Sequence, residues 1–272
     1  MVFSLIAVVC WGVSDFSGGY ASKKADAFLV TLLAHAAGFA LMLSLTVWNH
    51  AEIPARSNQL WAIAAGALGG FGLALFYGAL ASGKMGLTAP LAAILGAAIP
   101  TAVGIVLQGY PGPMPILGFV LAGLGIWLIA RPDKSDGREG LLMAVLSGLG
   151  FAGFFVCINY TGDASAFWSA TYSRFGSLLV VGVAMVIRRR AVSIDRKTAA
   201  IGLFAGALDS SGTLLFIRAD QTGRLDTAVM LSSLYPVVTV LLARFVLKEH
   251  FTRWKAVGIL AALAAVPLIA MQ

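Results

Sequence analysis

Residues 65–83 read AGALGGFGLALFYGALASG, and residues 205–223 read AGALDSSGTLLFIRADQTG; at an offset of 140, nine of the nineteen positions are identical. The same offset sets Lys84 on Arg224, Gly118 on Gly258, and the closing Leu128-Ile129-Ala130 on Leu268-Ile269-Ala270. Small residues are abundant in any packed membrane bundle and account for part of the match. Its recurrence at one offset in more than one apolar block marks an internal repeat.

What each copy holds follows from hydropathy. Of 272 residues, 59% are hydrophobic and 11% charged, with a mean hydropathy of +0.89, against roughly 45–50% apolar in a soluble domain. The apolar residues come in blocks about 18 to 22 long, the length a helix rising about 1.5 Å per residue needs to cross about 30 Å of hydrocarbon. Breakers and charges divide them into ten spans, at 2–19, 28–48, 59–82, 86–108, 113–130, 140–159, 165–187, 197–219, 225–247 and 251–270. The charged connector RPDKSDGRE, 131–139, separates two copies of five spans, 1–130 and 140–272. The other connectors are short and leave no room for a soluble domain. The expected fold is an all-α membrane protein of ten transmembrane helices. Because five is odd, the second copy must insert upside down, as an inverted repeat.

The formal net charge is +7, yet the basic residues sit between apolar blocks rather than along one face. They report membrane orientation and point to no nucleic-acid partner. Fourteen of the 19 Lys and Arg lie at odd-numbered connectors: Lys23, Lys24, Lys84, Arg131, Lys134, Arg138, Arg188, Arg189, Arg190, Arg196, Lys197, Lys248, Arg253 and Lys255. Even connectors hold Arg56, Arg218 and Arg224, while Arg174 and Arg244 lie within spans. Odd connectors are therefore expected in the cytoplasm and both termini outside, for a multi-pass protein of the cell (inner) membrane. The first apolar run lacks a basic start and an AxA-like cleavage site, so it reads as a retained span. Cys10 and Cys157 lie far apart in apolar surroundings, without a CxxC or a histidine cluster, and read as buried small hydrophobes.

Two interlocked, oppositely inserted halves can rock between conformations open to opposite sides, which is the geometry of alternating access. With that architecture, the chain resembles the drug/metabolite transporter superfamily, specifically its ten-span EamA-type members. The resemblance is carried by Trp11-Gly12 with Phe16 close behind, by Ala79-Leu80 to Gly83, and by LSSLYPVVTVLLARFVLKEHFTRWKAVG, 231–258. That last stretch is similar to the family's proline-containing ninth helix, its Glu-containing turn (Glu249) and the Gly of the tenth (Gly258). It departs from the family where Gln108-Gly109-Tyr110-Pro111 lacks the first-half Glu, where His35 stands in place of a frequent Arg, and where NYTGDAS, 159–165, lacks a basic cluster. The resemblance implies transport of small metabolites, often amino acids or other zwitterions.

Ionisable groups at membrane depth cost on the order of 2.5 to 3.5 kcal/mol, so those that persist face a cavity or a partner. Asp209 falls midway along the eighth span, followed by Ser210 and Ser211; Arg174 falls mid-way along the seventh, beside Tyr172 and Ser173. The two are read either as a substrate or proton site, with Arg174 for a carboxylate and Asp209 for an ammonium group, or as an ion pair locking two helices. His35, in the second span, reads as a neutral interhelical hydrogen-bonding group or as a proton-coupling or substrate contact. Trp11, Tyr77, Tyr172 and Tyr235 suit a cavity wall, and equally packing. Pro90, Pro100 and Pro236 permit kinks, Pro236 being the hinge-like one. Asp15, in CWGVSDFSGGYASKK (10–24), lies about one turn inside the expected cytoplasmic boundary; it reads as an entrance, gate or proton carrier, or as an acid snorkelling to the interface. Arg218, Asp220, Arg224 and Asp226 are expected at solvated span ends.

The leading expectation is a secondary transporter, not an enzyme, exporting or exchanging a small polar metabolite. No P-loop is present, so a proton gradient or the substrate's own gradient would drive it. An intramembrane enzyme or a flippase for a lipid-linked substrate is the alternative, although HExxH and DDxxD patterns are lacking. Expected partners are the small-molecule substrate and membrane lipid, with the chain a monomer or homodimer and no cofactor or metal.

Overall fold

The computed structural model describes residues 1–82, 85–129, 140–189, 193–249 and 252–271, and among them it contains helices and short connectors with no strand. The helices are α1 (Val2–Ser22), α2 (Ala27–Trp48), α3 (Arg56–Ser82), α4 (Met85–Gln108), α5 (Pro113–Ile129), α6 (Leu141–Asn159), α7 (Ala166–Arg188), α8 (Arg196–Gln221), α9 (Leu225–Ser232), α10 (Tyr235–Val246) and α11 (Arg253–Ile269). Outside the described residues lie Gly83, Lys84, Ala130, the connector 131–139 with Arg131, Lys134 and Arg138, residues 190–192 with Arg190, residue 250, the expected start of the last span at 251, and residue 272.

Eight segments are long and apolar enough to cross a membrane, Leu225–Val246 being one of them taken across its break. The helices α5 and α11 have 17 residues each, about 26 Å at 1.5 Å per residue, and pack along each other. Helix starts carry side-chain caps where the chain leaves water. Asp26 accepts from the N–H groups of Phe28 and Leu29, Ser165 from Trp168, Asp195 from Lys197 and Thr198, and Thr252 from Lys255. Each satisfies donors that the helix cannot pair itself.

The ninth span, expected continuous over 225–247, is instead two helices. Pro236 has no N–H to return to the carbonyl of Ser232, and its ring crowds that turn. The chain tightens through Ser233 and Leu234, with Leu234 N–H donating to Leu231 (3.2 Å) and Val237 N–H to Leu234 (3.0 Å). The helix then restarts with Pro236 in its first turn, where a missing N–H costs nothing. Pro90 and Pro100, by contrast, sit inside an uninterrupted α4.

The packing follows a two-fold exchange of the halves. Helix α3 lies on α6 and α7, and α8 lies on α1 and α2; α4 lies on α6, and α9 with α10 on α1. Three further pairings between the halves, α2 with α7, α4 with α9 and α10, and α5 with α11, map onto themselves. Small residues set the closest crossings. A Cβ on Gly66 would fall on the backbone of Ser173, and one on Gly206 would fall on the backbone of Ala34. These glycines are 140 residues apart in sequence, so the repeat read from residues 65–83 and 205–223 is also a repeat of helix contacts, α3 on α7 and α8 on α2. At such crossings the attraction is van der Waals packing of backbone on backbone, which a side chain would prevent.

This yields a paired test. Gly66→Ala and Gly206→Ala each force two helix backbones apart and should lower stability by about 1–3 kcal/mol. Gly123→Ala, whose Cβ would meet nothing within 4 Å, should be neutral or gain up to about 1 kcal/mol from helix propensity. Thermal midpoints of the purified variants in detergent check the ranking; equal effects at all three positions would contradict it.

Candidate functional site

The polar residues at the centre are delivered by helical spacing. On α8, Asp209 and Thr213 are four apart and share a face; on α1, Trp11 and Asp15 do the same. Helix α7 contributes Ser173, Arg174 and Ser177, and α2 contributes His35. With Ser233 and Tyr235 at the break in the ninth span, these residues line one cavity of about 60 Å³. That is room for on the order of four or five waters.

Arg174 is the hub. Its Nη1 donates to Asp209 Oδ2 at 2.5 Å and to His35 Nδ1 at 3.1 Å, and its Nη2 donates to Thr213 Oγ1. The charged side chains of the pair are only 6% and 10% exposed. A guanidinium has donors and no acceptor, so Nδ1 of His35 must present its lone pair. His35 is therefore the neutral imidazole with its proton on Nε2, and neither that nitrogen nor Nε of Arg174 has a hydrogen-bond partner among the described residues.

Of the two arrangements left open for Arg174 and Asp209, the structure has the ion pair: they hold each other. Asp15 differs. It is 5% exposed, lines the same cavity, and makes no hydrogen bond or ion pair with any described residue. Of the readings open for it, an acid snorkelling out to the interface does not fit, because α1 runs on to Ser22 and packs Asp15 inside the bundle. The adjacent Ser14 donates to the carbonyl of Ala205 at 2.8 Å.

The other wall is aromatic: Trp11, Phe151, Phe154, Phe155 and Tyr235. Trp11 meets Phe155 and Tyr235 edge-on, at 5.9 and 6.4 Å between ring centres. It is fixed by its indole N–H, which donates to the Asp209 carbonyl at 3.1 Å, and by Gly212, where a Cβ would strike the indole. The 140-residue exchange pairs Asp15 with Phe155, Asp209 with Gly69, Thr213 with Leu73, and Ser233 with Ala93, all of them lining residues. A two-fold scaffold therefore carries one-sided chemistry.

Other expected site residues lie off the wall. Tyr77 is fully buried, with its hydroxyl 3.3 Å from Ser14 Oγ and its ring against Gly18 of α1. Tyr172 stacks on Trp168 at 5.2 Å, whose indole donates to Ala51 O at 2.9 Å. Ser210 faces α2, where a Cβ on Gly38 would meet its hydroxyl. Pro236 makes the break beside Tyr235. Asp220 accepts from Asn159 Nδ2 at 3.1 Å. Asp226, expected at a solvated end, is fully buried and paired with Arg224 at 2.7 Å. Reading the sequence missed Thr213, Ser233, Phe154 and Phe155; the four-residue step from Asp209 marks Thr213, and the repeat offset from Asp15 marks Phe155.

In overall shape the chain is similar to a protein of known crystal structure, with a TM-score of 0.76 and 14% identity over 99% of this chain and 95% of that one. At that identity the likeness is one of fold. No curated protein matches by sequence. The family model for the EamA-like transporter family matches residues 138–271, which hold α6 to α11 and with them Arg174, Asp209 and the broken ninth span. By those residues the second half of this chain belongs to the EamA-like transporter family, part of the drug/metabolite transporter superfamily.

Proposed function

We propose that the chain is a secondary transporter of the cell's inner membrane. It exports or exchanges a small polar metabolite, an amino acid or related compound, by alternating access of two inverted halves, 1–130 and 140–272, with its termini outside. The observation that carries this reading is the small charged cavity lined by both halves where they meet. Because residues of one chain line it, a monomer suffices for the transport step, with or without dimer formation.

Equivalent contacts at the two ends of the bundle support the alternation. At one end Gln108 Oε1 accepts from Leu225 N at 2.9 Å; at the other Glu249 Oε1 accepts from Met85 N at 3.3 Å. Leu225 and Met85 are 140 residues apart, so each latch ties the start of α4 or α9 to the end of its counterpart span. The Gln108 latch is reinforced by Arg224, which bonds Asp226 and the carbonyls of Gln108 and Gly109. On the charge bias this latch faces outside. For proton coupling, Asp15 is the better carrier, because the carboxylate of Asp209 is engaged by Arg174. One unpaired carboxylate, rather than a converging pair, fits transport better than hydrolysis of a lipid-linked substrate.

Reconstituted into proteoliposomes, the chain should show saturable counterflow of labelled amino acids or amines, altered by a pH gradient. The absence of flux for every solute class would overturn the reading. Asp209→Asn should insert yet abolish flux, and it should lose about 3–5 kcal/mol of stability, since Arg174 is left buried without its counter-charge. Replacing both, Arg174→Met with Asp209→Leu, should restore stability beyond either single change without restoring transport. Wild-type flux in Asp209→Asn would make the pair purely structural.

The outer latch has its own test. With Cys10 and Cys157 replaced by Ala and a cysteine placed by Ser233→Cys in the cavity, Arg224→Ala should speed labelling by an impermeant maleimide added outside by severalfold. No change, or faster labelling only from the cytoplasmic face, would contradict the assignment.

A further inference from the structure

We infer that the head group recognised in this cavity is an organic ammonium cation, held by Asp15 between aromatic rings, and that no carboxylate is needed on the substrate. The inference rests on the transporter reading for its context, and on the cavity's charge for its content. Arg174 and Asp209 cancel, and His35 is neutral because its Nδ1 accepts from Arg174. Asp15 remains: buried, lining the cavity, with no hydrogen-bonding or ionic partner among the described residues. A carboxylate so placed at membrane depth is costly until a cation or a proton meets it.

What surrounds Asp15 suits an ammonium group better than a metal ion or an anion. Trp11 lies one helical turn away on the same face of α1, and Phe155 and Tyr235 close the same wall. Rings around a carboxylate favour a cation whose charge is spread over apolar groups, attracted to the ring faces and little penalised by losing water. The hydroxyl of Tyr235 is buried without a partner and can accept from a donor on the ligand. An anionic or zwitterionic head group, in contrast, finds its obvious cation already occupied, since Arg174 is bonded to Asp209, His35 and Thr213. The volume of about 60 Å³ fits a group of about five heavy atoms, taking a water as about 10–15 Å³ on that measure. Tetramethylammonium has that size.

Isothermal titration of the purified full chain separates charge from shape. The probes are tetramethylammonium, choline, its neutral isostere 3,3-dimethylbutan-1-ol, and its carboxylate analogue betaine. The two cations should bind, the neutral alcohol about tenfold or more weakly, and betaine no tighter than choline. Asp15→Asn should weaken choline about tenfold or more while Asp15→Glu stays within a few-fold of the parent. If Asp15→Asn does not fold, Phe155→Leu should weaken choline more than the alcohol. Equal binding of alcohol and choline, tighter binding of betaine, or an affinity indifferent to position 15 would overturn the inference. Flux of an amino acid with no binding of either cation refutes the ammonium site and leaves the transporter reading standing. Asp15-dependent choline binding with no flux of any solute does the reverse.

Discussion

A guanidinium carries its charge without an acceptor of its own, and at the depth Arg174 occupies that charge must be met by protein. Meeting it requires three helices at once: α7 carries the guanidinium, α8 brings Asp209 and Thr213, and α2 brings His35. These helices can come close enough only because α8 presents Gly206 to the backbone of α2 and α3 presents Gly66 to the backbone of α7. Helix α1 then follows α8, through Trp11 on the Asp209 carbonyl and Ser14 on that of Ala205. The buried charge and the small residues are thus one constraint. Without close crossings the guanidinium would lack acceptors, and without the guanidinium the one group that bonds to both α2 and α8 from α7 would be gone.

The backbone obeys a two-fold exchange that the cavity's side chains do not. Packing needs symmetry only where helices touch, and there the glycines at 66 and 206, and at 118 and 258, are retained in both copies. Where side chains face the cavity, the copies have diverged: one wall ionic and hydroxylic, the other built from rings and small residues. That division suits the proposed cycle. Two halves of equal shape make the inward-open and outward-open arrangements comparable in energy, while the one-sided wall gives a ligand a single defined orientation in both.

Much of this was legible in the chain. The apolar blocks and the offset of 140 define the helices and their inverted pairing, because spans and close crossings are set by composition over many residues. Arg174 and Asp209 stand out because charges are rare in such blocks. Which faces turn inward was not legible from residue type alone. Tyr172 and Tyr235 are the same side chain in similar helices, yet one stacks on Trp168 and the other lines the cavity. Ser210 follows Asp209 directly but points about 100° away around α8, as helical geometry demands, and meets Gly38 instead. Asp15 could be an inward acid or one snorkelling to the interface until the helix end was known: α1 runs three residues past the expected end, from Tyr20 to Ser22, and the carboxylate lies inside the bundle.

The break in the ninth span and the cavity require each other. Backbone that leaves the helix at membrane depth is tolerated where it is enclosed in protein or borders a polar space. Pro236 leaves the carbonyl of Ser232 without its usual donor, and the hydroxyls of Ser232 and Ser233 are buried without partners. In a cavity filled by side chains those groups would have no recourse. Beside a polar hollow, Ser233 and Tyr235 border space that water or a ligand can occupy. Past the break, Thr239 ties α10 to the Gly12 carbonyl of α1 at 3.2 Å, one residue from Trp11. A change at the cavity that reorients Tyr235 therefore acts on a segment with few internal hydrogen bonds to lose, and it reaches α1, the helix that carries Asp15, without crossing an intact helical ladder.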